Sequence, residues 1–143
     1  MAYLSNVAIV RKMLDVIEQG LFADIENVFA PNWVNHDPSL PPMQGLEGAK
    51  MLVGLWSGGL SKTKVTIEDS VTEGDRVAVR FTIMGTNSGE IMGIPATGRL
   101  INVVGTGIFR VVEGKVTDNW VNFDALGLMQ QLGVVPLTSM PGV

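Results

Sequence analysis

The chain predicts an α+β domain in which a curved sheet wraps helices on one face. Three observations carry this. The first 60 residues space their apolar side chains at helical intervals, and from Lys62 the period changes to two. Tight turns, Glu73-Gly74-Asp75 and Glu113-Gly114-Lys115, punctuate the second half. The length, 143 residues, is one domain's worth of chain and enough to bury a core.

Ser5 or Asn6 caps a first helix, along which Val7, Val10, Met13, Leu14 and Ile17 form one stripe until Gly20 stops it. A second, short helix fits Ala23 to Phe29, closed by Pro31. Trp33 to Pro38 reads as an extended piece entering a turn, and Pro38, Pro41 and Pro42 stiffen the next loop. Gly45 to about Ser57 is a third helix with Leu46, Ala49, Leu52, Val53 and Trp56 apolar, ended by Gly58-Gly59. Strands follow over Lys64 to Thr72, Arg76 to about Met84, Arg99 to Val112 and Val116 to Asp124. Gly85 to Gly98 is an excursion rich in Gly and Pro. A last helix carries Leu126, Met129, Gln130 and Leu132 to Gly133. The domain spans 1–133. Residues 134–143 form a tail, with Pro136 and Pro141, expected to be loosely ordered or to lie on a neighbour.

Composition narrows the chemistry. An apolar share of 46% argues against disorder. There is no Cys, one His (His36) and one Tyr (Tyr3). Disulfides, thiolate nucleophiles, Cys-based zinc sites and a multi-His metal site within one chain are therefore excluded. Ten Lys and Arg against fourteen Asp and Glu give a net charge of −4, with the basic residues scattered, so nucleic acid is not the expected partner. No apolar run approaches the roughly 20 residues of a membrane span. The N-terminus lacks a basic region ahead of an apolar core, so the default location is the cytoplasm. Nucleotide-binding glycine motifs, a nucleophile elbow, His-Glu-x-x-His and a calcium loop are all missing, and neither a metal nor a cofactor is expected.

Strand parity selects the candidate site. Trp120, Asn122 and Asp124 share one face of the last strand, and Val121 and Phe123 the other. Val116 and Asp118 fall on the Trp120 face at the far end. A carboxylate beside an indole and an amide either faces water or lies in a cavity, where desolvation makes it a usable base. Asp124 has a second reading as the N-cap of the last helix. His36 is the one group with an unperturbed pKa near neutrality, and Asp37 is placed to orient it. The same residues also suit a polar turn before Pro38. Arg80 either binds an acidic group or sits on the solvated face.

These pieces resemble, in order, the SnoaL-like polyketide cyclases of the NTF2-like, cystatin-like superfamily. The resemblance is carried by Trp33-Val-Asn-His-Asp-Pro38, Gly45-Leu-Glu-Gly48, Glu73-Gly-Asp-Arg-Val-Ala-Val-Arg80, Gly93-Ile-Pro-Ala-Thr-Gly98, Trp120-Val-Asn-Phe-Asp124 and Gln131-Leu-Gly133. It implies a cone-shaped α+β barrel with a deep apolar pocket and no cofactor. It implies Asp124 as the acid/base that removes a proton α to a carbonyl, so that the enolate closes a ring by intramolecular aldol addition. His36 would polarise or protonate the oxygen, and Asn35, Arg80, Trp120, Asn122 and Trp33 would hold a hydrophobic substrate. A homodimer is also implied. The chain departs from the family at Asn87, where many relatives carry His, and at Ala96, where they carry a second Pro. Isomerisation, hydrolysis or hydroxylation on the same fold, and ligand binding without chemistry, are the competing functions.

Overall fold

Ser5 opens the first helix in the computed structural model, which describes residues 5–136. Its hydroxyl accepts from the Ala8 N–H. Helix α1 (Asn6–Gln19) buries Ile9, Val10, Met13, Leu14, Val16 and Ile17, and Gly20 ends it in the left-handed conformation, φ 66°. Tyr3 and the tail beyond Pro136 lie outside the described residues.

The second helix is shorter than its apolar spacing suggests. A 3-10 turn (Phe22–Asp24) leads into α2 (Ile25–Val28), and Phe29 already starts β1 (Phe29–Asn35). Pro31 thus lies inside a strand instead of closing a helix. The register of β1 slips between Phe29 and Val34, and an irregularity is where a strand tolerates a residue without an N–H. A two-residue strand, β2 (Met43–Gln44), pairs with the end of β1 and hands the chain to α3 (Gly45–Gly59). Gly58-Gly59 does not cut α3 short: the helix includes both, and β3 (Leu60–Glu73) starts at the next residue. Gly59 is required there, because a Cβ would fall 2.8 Å from Ile91 Cβ.

The meander continues with β4 (Arg76–Asn87), β5 (Leu100–Val112) and β6 (Lys115–Phe123), and α4 (Ala125–Gln131) follows. Glu113 and Gly114, φ 50° and 76°, form a two-residue hairpin loop between β5 and β6. The six strands lie in the order β2-β1-β6-β5-β4-β3. Only β1 and β6 run parallel. The sheet curves but does not close, so the barrel that the resemblance implies is open between β2 and β3.

Helices α1 and α3 pack in the hollow of this sheet. Val77, Val79, Phe81 and Ile83 of β4 and Ile101, Val103, Phe109 and Val111 of β5 point inward and are buried. Their neighbours Arg80, Met84, Leu100, Val104 and Ile108 point outward. In β6 the alternation slips once. Val116 and Thr117 are both buried because the register with β5 shifts between Arg110 and Val111. Val116 is therefore inside, not on the Asp118 face that simple parity assigns it.

Candidate active site

A cavity of about 60 Å³ lies between the helices and the concave face of the sheet. Met13, Leu14 and Ile17 of α1, Leu52 and Trp56 of α3, and Phe81, Phe109 and Phe123 of the sheet make most of its wall. Its polar side chains are three: Asn35, Asp37 and Asn119. They cluster where the end of β1 meets β6, Asn35 and Asn119 being partners in the parallel ladder.

Hydrogen bonds fix this polar end. Trp33, two residues before Asn35 on the same side of β1, is fully buried and meets the Phe29 ring edge-on at 5.0 Å. Its Nε1–H donates to Asn119 Oδ1 at 2.6 Å, and Asn119 Nδ2 donates to Asn35 Oδ1 at 2.7 Å. Indole nitrogen only donates, so it dictates which end of the Asn119 amide faces it, and that amide dictates the next. Asn35 Oδ1 also accepts from the Asp37 N–H at 3.3 Å. Asn35 Nδ2 is left buried with no partner.

Asp37 is 8% exposed. Burial raises its carboxyl above the ordinary value, and hydrogen bonds from Ser39, including the N–H to Oδ1 at 2.8 Å, offset part of that. A carboxyl in an apolar hollow with a raised pKa is suited to taking up a proton from carbon and giving it back.

The convex face presents a different set. His36, between Asn35 and Asp37 in sequence, turns outward: its Nε2 lies 3.0 Å from Asp118 Oδ2, and its ring stacks on Trp120 at 4.8 Å. The Arg76 guanidinium lies 4.9 Å over the same indole. Burial alone would raise the Asp118 carboxyl, but hydrogen bonds from His36 and Thr117 and the charges of His36 and Arg110 together lower it. Arg110 also holds the Asp75 carboxyl down through a 2.8 Å hydrogen bond.

Of the residues singled out from sequence, the structure brings Asn35 to the cavity and Trp33 directly beneath its polar end. His36, Arg80, Trp120, Asn122 and Asp124 stand on the convex face or its rim. Asp37 does not orient His36; the two point to opposite sides, and Asp118 takes that place. Arg80 is exposed and pairs with Asp69 at 2.7 Å. Asp124 is exposed, and its Oδ1 accepts from the Gly127 N–H at 2.8 Å as the N-cap of α4. Together with Asn122 these two border a shallow groove over Val104, Gly105 and Thr106.

Asn119 and the cavity carboxyl of Asp37 escaped the reading of the sequence. The signal for Asn119 was an amide at the parity of Val121 and Phe123. Asn87, where the resemblance led to an expectation of His, is fully buried and its amide is fully hydrogen-bonded. Its Nδ2 donates to Gly59 and Gly89 carbonyls, and its Oδ1 accepts from the N–H and hydroxyl of Thr97. It ties down the excursion after β4. Among the described residues no three acidic or imidazole side chains converge as a metal-binding group. Among them, too, no helix is long and apolar enough to cross a membrane.

A curved sheet over two helices encloses an apolar cavity with one polar end. The chain belongs to the SnoaL-like polyketide cyclases, whose family model matches residues 7–132. It is 25% identical over 135 residues to the aklanonic acid methyl ester cyclase DnrD of Streptomyces peucetius, covering 90% of this chain and 91% of that one. The structure of TsrD from Streptomyces laurentii superposes with a TM-score of 0.78 at 28% identity, covering 93% of this chain and all of TsrD. IdmH of Streptomyces antibioticus gives 0.76 at 27% identity, over 92% of this chain and all of IdmH. Relatives named as cyclases support an enzyme of cyclase type.

Proposed function

We propose that this chain is an acid–base cyclase acting on an apolar, carbonyl-bearing molecule held in the interior cavity, with the Asp37 carboxyl as the proton-transfer group. The observation that carries this reading is a buried carboxyl, raised in pKa by burial, at the polar end of a mostly apolar hollow. Asp124, the base that the resemblance implies, has one carboxylate oxygen committed to the start of α4 and faces water outside this cavity.

In the proposed step the Asp37 carboxylate removes a proton from the carbon α to one carbonyl. The enolate carbon attacks a second carbonyl of the same molecule, forming a C–C bond as the C=O π bond opens. The new alkoxide recovers the proton from the Asp37 carboxylic acid. Nothing is lost, and no redox partner is needed. The cavity is smaller than the ~150 Å³ that holds benzene in an engineered core. A ring-sized substrate therefore requires flexible wall residues such as Met13 and Leu40 to move aside.

Heptane-2,6-dione, which closes to 3-hydroxy-3-methylcyclohexanone, is a suitable probe. The protein in D₂O should accelerate both deuterium uptake at the α carbons and ring closure. A protein that binds the dione and leaves both at the background rate is a binding module, and the proposal falls. A second copy of the chain is the proposed partner. Val104, Ile108 and Val112 expose an apolar row on the convex face of β5, and light scattering should report a dimer.

A further inference from the structure

Among the described residues two buried side-chain polar atoms lack a partner, Thr63 Oγ1 and Asn35 Nδ2, and only Asn35 lines the cavity. A buried donor without an acceptor has lost its hydrogen bond to water and gained none in return, so native structures rarely keep one in a place where nothing else will bind. Asn35 is 9% exposed and lines the cavity within two residues of the Asp37 carboxyl. It cannot relieve the cost by flipping. A flip would set its Nδ2 against Asn119 Nδ2 and the Asp37 N–H, both donors. Asn119 cannot flip to help, because its Oδ1 is held by the Trp33 indole N–H. A donor-only indole at the bottom of the stack therefore fixes a donor at the top.

We infer that Asn35 Nδ2–H is the hydrogen-bond donor to the substrate's carbonyl oxygen, and that Trp33 and Asn119 are positioning residues that set its polarity. The inference rests on the proposed base for its chemical setting, and it deepens that reading by naming the ligand atom. The molecule must present an acceptor oxygen beside the carbon that Asp37 deprotonates. When the proton leaves, the oxygen gains charge and the same N–H binds it more tightly, which is how a preoriented donor lowers the barrier. Asn35 touches the reacting oxygen; Trp33 and Asn119 act through it.

Binding and chemistry test this separately. The binding probes are heptan-2-one and 2-methylhept-1-ene, which share a skeleton and differ by =O against =CH₂. On ¹⁵N-labelled protein, the ketone should shift one Asn35 side-chain N–H signal downfield and the alkene should not. The ketone-to-alkene affinity ratio should fall about 3- to 10-fold in Asn35→Ala, the range for one neutral hydrogen bond. Trp33→Phe keeps an aromatic, though smaller, side chain and removes the indole N–H. It should lower the same ratio and broaden the Asn35 signals as the amides lose their fixed orientation. With heptane-2,6-dione, Asn35→Ala should lose about 10²-fold in kcat with a smaller change in KM. If Asn35→Ala fails to fold, the wild-type titration still decides. No ketone-dependent change at Asn35, or an affinity ratio unmoved by Asn35→Ala, overturns the inference. A ketone shift at Asn35 without α-proton exchange upholds the donor and rejects the proposed base. Exchange without any Asn35 shift upholds the base and rejects the donor.

Discussion

The two faces of β6 carry similar chemistry in opposite environments. Inward, Asn119 sits among Val121 and Phe123, hydrogen-bonded to two other buried side chains. Outward, one residue away on either side, Asp118 and Trp120 engage His36 in a partly exposed hydrogen bond and a stack. The loop after β1 repeats the division: Asp37 in, His36 out. The inner carboxyl is raised by burial, and the outer one, Asp118, is lowered by its partners. The two carboxyls are shifted in opposite directions by the faces they occupy. His36 and Trp120, both singled out from sequence, form one outer assembly with Asp118, while Asp124 caps α4 apart from them.

The largest effect should come from pitting one face against the other. Asp37→Asn should slow heptane-2,6-dione closure by about 10²–10⁴-fold, the contribution of a positioned acid–base group. His36→Ala, measured in the same assay, should stay within a few-fold of the wild type. A reversal of these two results would move the chemistry to the convex face.

Next in size is the buried amide. Asn119→Ala strands the Trp33 indole N–H in the core and should cost about 1–3 kcal/mol in urea unfolding. Removing the Asp124 cap by Asp124→Ala should cost about 1 kcal/mol and leave closure unchanged, whereas Asp124→Asn should recover most of the stability. Loss of closure in a folded Asp124→Asn would restore that residue as the base.

The smallest expected effect is a pH dependence, and its sign is informative. The Asp37 carboxyl titrates higher folded than unfolded, so the fold favours its protonated form. Its contribution is most favourable below the unfolded value, 3.8, and is lost as pH rises through the higher folded value. Asp37→Asn escapes that loss. The variant should therefore be more stable than the wild type at neutral pH, with the gain shrinking as pH falls toward 3. Thermal melts across that range would check it.

Much of the architecture was legible because it depends on local spacing. The stripe of α1, the Gly20 stop and the Gly-centred turns each follow from single-segment rules, and the structure places them as expected. Two features resisted. Pro31 argues for a helix end, and only pairing with β6 makes a strand of that segment. In β6, alternation separates Trp120 and Asn122 from Val121 and Phe123, but both rows mix apolar with polar residues. Trp120 hides its apolar surface under His36 and Arg76 rather than in the core. The bulge opposite Arg110 and Val111 then reverses parity at Val116. Asn35 was singled out from sequence, whereas Asn119 and the carboxyl of Asp37 lie beside singled-out residues, and which neighbour faces the cavity is set by tertiary packing.

The central claim, that the concave face holds the tuned carboxyl, is tested most directly by titrating the two carboxyls against each other. Carboxyl ¹³C shifts of Asp37 and Asp118, followed by NMR from pH 2 to 8, report each group in the intact protein. The account predicts Asp37 above the ordinary Asp value of 3.8 and Asp118 below it. Asp37 titrating at or below Asp118 would contradict it.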